Sequence, residues 1–143
     1  MSINKTGSAV WQGGLKDGKG QVSTQSGVLK DVPYSFAQRF EGAAGSNPEE
    51  LIGAAHASCY SMALSLILGE AGLTPERIAT QATVTLEQDD SGFSISAVHL
   101  DTVAIIPGAD EATFKEAADN AKAGCPVSKL LNATITLNAR LDS

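Results

Sequence analysis

The stretch 51–69 carries no charged side chain and limits most strongly what this chain can fold into. It follows strong helix-start signals, because Asn47 fits the N-cap, Pro48 the first helical position and Glu50 the N3 position of a capping box. We therefore predict one long helix over about residues 48–71. Apolar or small residues occupy nearly its whole circumference, so both of its faces should be covered. A single sheet can cover only one face, which predicts a partner subunit on the other and hence a homodimer.

The same stretch is close to the roughly 20 residues that a membrane-spanning helix needs. It contains His56, two glycines and three serines, and acidic rather than basic residues flank it. These features favour a buried core helix over a membrane span. The first residues of the chain show no apolar leader pattern, so we expect a cytoplasmic protein whose thiols are kept reduced.

The 143 residues fit a single domain over residues 1–143, and the hydrophobic share of 43% is enough for a packed core. The formal net charge is −6, and the 10 Lys and Arg residues do not cluster. The charge pattern therefore disfavours nucleic acid and anionic membrane surfaces as partners.

Alternating and helical patterns along the chain predict the order β-β-β-α-β-β-α-β, which is an α+β fold because the strands are grouped. In the third predicted strand, residues 33–42, Tyr34, Phe36, Gln38 and Phe40 share one face and Arg39 lies on the other. After the long helix, strands are predicted at 78–88 and 93–107 and a helix at 108–124 with Asp110 as its cap. A short turn or helix at 125–131 and a strand at 132–141 complete the prediction.

Cys59 lies in the middle of the long helix, three residues after His56. A small buried hydrophobic residue is a common role for such a cysteine. The spacing also allows a Cys–His dyad, although a histidine simply packed in the helix is the simpler interpretation. A zinc site of His56, Cys59 and Cys125 is a further alternative, but no CxxC pair or fourth ligand is evident.

Cys125 lies in "AKAGCPVSKLL", where Gly124 can end one helix and Pro126 can start the next. A thiol at a helix N-terminus with lysines nearby favours the thiolate. Local sequence physics therefore indicates that Cys125 is the more reactive thiol. If Cys59 is the nucleophile instead, a residue distant in sequence must supply positive charge.

The segments "RFEG", "NPEELIGAAHASCYSMALSLILGEAG" and "AKAGCPVSKLL" together resemble the OsmC/Ohr (organic hydroperoxide resistance) family of bacteria. The resemblance covers essentially the whole chain. It implies an OsmC-like fold, in which antiparallel sheets surround central helices in an intertwined homodimer. It also implies a thiol-dependent peroxidase for organic hydroperoxides in oxidative or osmotic stress defence, with no bound cofactor or metal.

The resemblance further assigns the peroxidatic role to Cys59, the resolving role to Cys125, and essential roles to Arg39 and Glu49. It argues against His56 as a catalytic base, and it implies reduction by an external dithiol or a lipoylated protein. A guanidinium can stabilise a thiolate, and a carboxylate can orient that guanidinium. On one straight helix Glu49 and Cys59 differ by about 15 Å along the axis. We therefore hypothesise that the Arg39–Glu49 pair serves the Cys59 of the other subunit.

In the expected reaction, the Cys59 thiolate is oxidised to a sulfenic acid and then forms a disulfide with Cys125. Ile52, Met62 and Phe36 or Phe40 are expected to supply an apolar lining for alkyl or lipid hydroperoxides. Two other classes stay open on the sequence, a non-catalytic stress-linked binding protein and a cysteine-dependent hydrolase.

Overall fold

Three short strands open the chain in the computed structural model, which describes residues 1–143. Strands β1 (Gly7–Gln12), β2 (Lys19–Thr24) and β3 (Val32–Tyr34) form one antiparallel sheet in that order. The chain divides into two units, Met1–Leu51 and Ile52–Ser143, and this sheet belongs to the first. The expectation of a single domain stays a prediction.

A glycine fixes the packing on the first sheet. The rings of Trp11 and Tyr34 lie 5.5 Å apart, and a Cβ at Gly20 would come within 2.4 Å of Tyr34 Cε1 and 2.8 Å of Trp11 Cε3. Any side chain at Gly20 would therefore have to displace an aromatic ring. Strands β1 and β2 pair antiparallel on either side of Asp17 and Gly18.

The prediction of a strand over residues 33–42 is wrong beyond Tyr34. Residues Phe36–Phe40 form a short helix, α1, after an extended Ser35. The rings of Phe36 and Phe40 lie 4.9 Å apart, as side chains four residues apart on a helix do. Residues 36 and 40 are an even number of positions apart, so they would also share one face of a strand. The sequence pattern therefore fits a strand equally well.

Helix α2 spans Pro48–Glu70, as predicted, and the boundary between the two units falls within it. The Asn47 side-chain oxygen accepts the backbone N–H of Glu50 at 2.8 Å, and the Asn47 and Glu50 side chains also contact each other. This N-cap bond starts the helix where the sequence predicted. The cap also satisfies one of the backbone donors that a helix start leaves unpaired.

The second unit continues with the antiparallel pair β4 (Arg77–Asp89) and β5 (Gly92–Ile105). Two helices follow, α3 (Glu111–Gly124) and α4 (Pro126–Leu130), and β6 (Thr134–Asp142) ends the fold. Asp110 caps α3 by accepting the backbone N–H of Thr113, as predicted.

The sheet of the second unit has the order β4-β5-β6, and β5 pairs with β6 in parallel. The expected antiparallel pairing is found throughout the first sheet and between β4 and β5, whereas β5 and β6 pair in parallel. Parallel neighbours need a crossover of about a dozen residues or more, and the segment with α3 and α4 provides one. The α+β class itself is confirmed, because the strands remain grouped.

Helix α2 contributes one face to the core of the second unit. Its buried residues are Gly53, His56, Tyr60, Leu64 and Leu68. Tyr60, Leu64 and Leu68 join an apolar cluster with Val98 and Leu100 of β5 and Phe114 of α3. Met62 and Leu66 on the other face of α2 are 76% and 65% exposed. The chain alone thus covers one face of this helix and leaves the other uncovered.

Helix α2 is also the one helix that is long and apolar enough to cross a membrane by length and composition. The same test is passed by core helices of soluble proteins, and the buried face of α2 packs in a protein core. The packing agrees with the predicted core helix, and the cytoplasmic location stays a prediction.

Candidate active site

Two free thiols meet in the second unit. Cys59 is partly exposed in the middle of α2, and Cys125 is fully buried between α3 and α4. Cys125 is near enough to Cys59 to influence the pKa of its thiol, so the two side chains are adjacent. A pair of cysteines 66 positions apart is therefore placed for thiol–disulfide chemistry.

Cys125 is held by the start of α4. Gly124 ends α3 and Pro126 begins α4, as predicted, so Cys125 is the N-cap of the second helix. Its sulfur accepts the backbone N–H of Ser128 at 3.4 Å and lies 3.3 Å from the Ser128 hydroxyl. The buried sulfur is thus fixed by two polar groups of one residue.

The same turn contacts Cys59. Burial raises the pKa of the Cys59 thiol above its ordinary value, the backbone N–H of Val127 lowers it, and the adjacent Cys125 raises it again. Since the net direction is upward, the thiolate that thiol chemistry requires must gain stabilisation from an additional positive group. The raised pKa agrees with the expectation from the sequence that positive charge for Cys59 must come from a residue distant in the chain.

His56 is fully buried, and its Nε2 lies 2.7 Å from the hydroxyl oxygen of Ser128. Its Nδ1 has no hydrogen-bond partner. Burial lowers the pKa of His56, so the imidazole is neutral at pH 7. The histidine therefore bonds toward the Cys125 side of the site, and the expected packing within the helix is confirmed.

Arg39 and Glu49 form a second pair, within the first unit. The guanidinium donates from Nη2 to Glu49 Oε1 at 2.8 Å, and from Nε to Oε1 at 3.1 Å and Oε2 at 3.3 Å. The Arg39 side chain is 36% exposed and that of Glu49 13%. This fork leaves the Nη1 edge of the guanidinium directed away from the carboxylate, where it can serve another acceptor.

An apolar cavity of about 230 Å³ adjoins this guanidinium. It is lined by Trp11, Leu15, Tyr34, Ser35, Phe36, Arg39 and Phe40. The Arg39 guanidinium carbon also lies 5.5 Å from the centre of the Phe40 ring, within cation–π range. A cationic donor thus borders an aromatic cavity, which suits a ligand with one polar and one apolar end.

The structure therefore groups the four predicted site residues into two pairs, Cys59 with Cys125 and Arg39 with Glu49. Sequence reasoning missed Ser128, which contacts Cys125 and His56, although it stands in the quoted "GCPVS" segment. No group of three or more His, Cys, Asp or Glu side chains is placed to hold a metal ion, so the zinc alternative has no ligand set to support it.

The fold of the second unit thus brings two free thiols next to each other. A family model described as OsmC-like protein matches residues 41–140. The chain also is 57% identical to "Peroxiredoxin OsmC" of Escherichia coli (strain K12), over 100% of both sequences. The chain belongs to the OsmC-like protein family.

Other relatives are more distant. The "Organic hydroperoxide resistance protein OhrB" of Bacillus subtilis (strain 168) is 27% identical over 85% of this chain and 88% of its own. Its crystal structure matches with a TM-score of 0.67 at 25% identity, covering 96% of this chain and 98% of that one. An OsmC like protein from Mycoplasma pneumoniae matches with a TM-score of 0.78 at 18% identity over the full length of both chains, which supports the fold.

Proposed function

We propose that this chain is a cysteine-based peroxidase that reduces organic hydroperoxides to alcohols in oxidative or osmotic stress defence. The observation that carries the proposal is that two free thiols, those of Cys59 and Cys125, lie adjacent to each other. The relatives named peroxiredoxin and organic hydroperoxide resistance protein support the same chemistry.

The proposed cycle starts at Cys59, because its thiol is partly exposed whereas Cys125 is fully buried. The Cys59 thiolate attacks the distal oxygen of ROOH, the O–O bond breaks, and the alkoxide leaves as ROH after taking a proton. Cys59 is then a sulfenic acid. The thiol of Cys125 attacks that sulfur, the S–O bond breaks, and the hydroxyl group leaves as water with the proton of Cys125.

Arg39 is proposed to supply the positive charge that the Cys59 thiolate needs. A guanidinium stabilises a thiolate and donates to a peroxide oxygen, and the Nη1 edge that Glu49 leaves unused is suited to that task. Glu49 would orient the guanidinium through its two oxygens. Our proposal is that the pair acts on the Cys59 of the partner subunit, since Glu49 and Cys59 cannot meet along one straight helix.

The preference for organic hydroperoxides is proposed from the apolar cavity beside Arg39. Its aromatic lining, which includes Phe36 and Phe40, would bind an alkyl group while the guanidinium binds the peroxide oxygens. Burying a side chain of several methylene groups favours binding by about 0.8 kcal/mol for each group. Hydrogen peroxide has no such group and gains nothing from the cavity. Ile52 and Met62, which were also expected to line the substrate site, are not among the residues that line this cavity.

A homodimer is proposed because the exposed face of α2 combines Met62 and Leu66 with small residues. A second copy could cover this face through its own α2, since small side chains let two helix backbones approach closely. Re-reduction is assigned to an external dithiol or a lipoylated protein, because two thiols on one reductant complete the exchange without a bound cofactor.

Counting free thiols tests the proposal directly. Adding one equivalent of cumene hydroperoxide to the reduced protein should remove two thiols per chain, and dithiothreitol should restore them. Cys59→Ser should consume no peroxide, whereas Cys125→Ser should react once and then over-oxidise at Cys59. Full steady-state turnover by Cys59→Ser would refute the assignment, and unchanged thiol counts in the wild-type protein would favour a non-catalytic binding protein.

A further inference from the structure

A row of polar groups leads from His56 in the middle of α2, through the half-buried Ser128, to the buried sulfur of Cys125. His56 Nε2 lies 2.7 Å from Ser128 Oγ, and Ser128 Oγ lies 3.3 Å from Cys125 Sγ. The backbone N–H of Ser128 donates to the same sulfur at 3.4 Å. Cys59 is adjacent to Cys125. Nothing in the cycle proposed above uses His56 or Ser128.

The direction of these hydrogen bonds follows from the unpartnered Nδ1 of His56. A neutral imidazole carries one N–H, and a buried N–H without an acceptor is rarer in proteins than a buried acceptor without a donor. The proton therefore belongs on Nε2, which donates to the Ser128 hydroxyl oxygen. The hydroxyl hydrogen of Ser128 is then available to Cys125, so both polar groups of Ser128 act as donors to that sulfur.

We propose that His56 and Ser128 are positioning residues that hold the Cys125 sulfur against Cys59 and stabilise negative charge on it, so that Cys125 is the leaving thiolate when a reductant opens the disulfide. This inference rests on the proposed function, because it concerns the resolving half of the same cycle. It also specifies that the reductant attacks Cys59.

The choice of the attacked sulfur follows from exposure. A thiolate of the reducing dithiol forms a bond to Cys59 Sγ, which is partly exposed, while Cys125 is fully buried. The Cys59–Cys125 bond breaks, and its electron pair goes to Cys125 Sγ, where the two Ser128 donors receive it. The second thiol of the reductant then attacks the mixed disulfide at the reductant's own sulfur. This releases Cys59 and the oxidised dithiol, and the thiol protons of the reductant end on the two cysteines.

The same contacts serve disulfide formation. Cys125 must approach the Cys59 sulfenic acid with electron density on its sulfur, and the two donors favour that state as the thiol proton leaves with the hydroxyl group as water. Neutral His56 supports this role without becoming charged itself. A buried imidazolium is disfavoured at this position, because burial already lowers the pKa of His56.

The test measures reduction of the disulfide separately from peroxide chemistry. Wild-type protein and variants are oxidised with diamide, and the return of two thiols is followed at several dithiothreitol concentrations. Ser128→Ala removes the hydroxyl, whereas Ser128→Thr keeps it. His56→Met removes the ring donor at similar volume, whereas His56→Gln keeps an amide donor. Ser94→Ala, an exposed serine on β5, is the matched control.

Losing one donor to a developing thiolate should slow reduction about tenfold in Ser128→Ala and several-fold in His56→Met. Ser128→Thr and His56→Gln should stay within about threefold of the wild type, and Ser94→Ala should be unchanged. With glutathione as a monothiol reductant, peptide mass spectrometry should find the mixed disulfide on Cys59. Reduction of Ser128→Ala at the wild-type rate, or a mixed disulfide on Cys125, would overturn the inference.

The conservative variants keep the test decisive if His56→Met does not fold, since a His56→Gln protein slowed tenfold would also contradict the donor role.

The outcome of this test is separable from the outcome of the test of the proposed function. A wild-type protein that ignores cumene hydroperoxide but depends on Ser128 for reduction would refute the peroxidase alone. A wild-type protein that consumes the peroxide but is reduced equally fast without the Ser128 hydroxyl would refute the positioning role alone.

Discussion

Replacing Glu49 by Gln isolates what the carboxylate does for Arg39. Two nitrogens of the guanidinium make three contacts with this carboxylate, at 2.8, 3.1 and 3.3 Å. Glutamine keeps the length of the side chain and one acceptor oxygen. It removes the negative charge and presents an NH₂ group to the donors of Arg39, so the bidentate fork is lost. We expect the guanidinium to leave its fixed orientation.

The free-energy loss expected for Glu49→Gln lies between two limits. A hydrogen bond to a charged group contributes about 1.5–3 kcal/mol when buried, and an exposed ion pair about 0.2–1 kcal/mol. The carboxylate side is mostly buried at 13% exposure, and the guanidinium side is 36% exposed. An intermediate loss of about 1–2 kcal/mol in transition-state stabilisation corresponds to a roughly 5- to 30-fold slower reaction. The free energy of unfolding should change by less than about 1 kcal/mol, because much of the pair is solvated.

The assay is a single-turnover reaction of the reduced protein with cumene hydroperoxide, followed by loss of free thiols. Glu49→Asp keeps the charge on a shorter side chain and should fall between the wild type and Glu49→Gln. Arg39→Ala should be slower than either. If Glu49 acts only through Arg39, the double variant should be no slower than Arg39→Ala. Additive losses, or a Glu49→Gln rate within twofold of the wild type, would refute the orienting role.

Three further predictions concern the scaffold. Leu64 is fully buried, so Leu64→Ala should lower the free energy of unfolding in urea by about 2–5 kcal/mol; a change below about 1 kcal/mol would show that the α2 packing is wrong. Met62→Lys on the exposed face of α2 should shift the protein from dimer to monomer in sedimentation velocity, and a dimer in both proteins would remove Met62 from the interface. The hydrogen bond from the backbone N–H of Thr113 lowers the pKa of Asp110. The ionised cap therefore stabilises the folded protein above the ordinary carboxyl pKa, and this stabilisation is lost as pH falls through the lowered pKa. Asp110→Ala should therefore have a lower urea midpoint than the wild type at neutral pH, and the two midpoints should converge in acid; a difference that persists in acid would contradict the charge-dependent cap.

Local signals in the sequence predicted the helix starts well. Asn47 and Asp110 each bond to a backbone N–H three residues ahead, so the pattern that specifies the cap lies within a single turn. The break between Gly124 and Pro126 is local in the same way. These features were predictable because no distant residue decides them.

The alternation around Phe36 and Phe40 misled because two structures satisfy it. Residues four apart share a face in a strand and also in a helix, so only the pairing of the neighbouring chain distinguishes them. The parallel pairing of β6 with β5 was missed for a related reason. It depends on where the crossover delivers the last strand, and no residue within β6 specifies that.

The site could be predicted only where it uses residue types that are rare in the chain and chemically reactive. Cysteine is rare in this chain, so Cys59 and Cys125 were obvious candidates, whereas Ser128 is one serine among many. Its importance comes from a contact with His56 across 72 residues. The spacing of residues in the sequence does not predict the His56–Ser128 contact, because the folded crossover creates it.

The parallel pairing of β5 and β6 also sets an order of events during folding. The last strand cannot dock until the whole crossover has been ordered, so contacts of long sequence separation form late. Cys125 lies inside that crossover, so its approach to Cys59 in α2 joins residues far apart in the sequence. A disulfide between the two would tie the crossover to α2 and close a loop of roughly 65 residues, which is expected to stabilise the fold by about 4 kcal/mol. Oxidation would thus add a covalent restraint between the crossover and α2, and reduction would remove it.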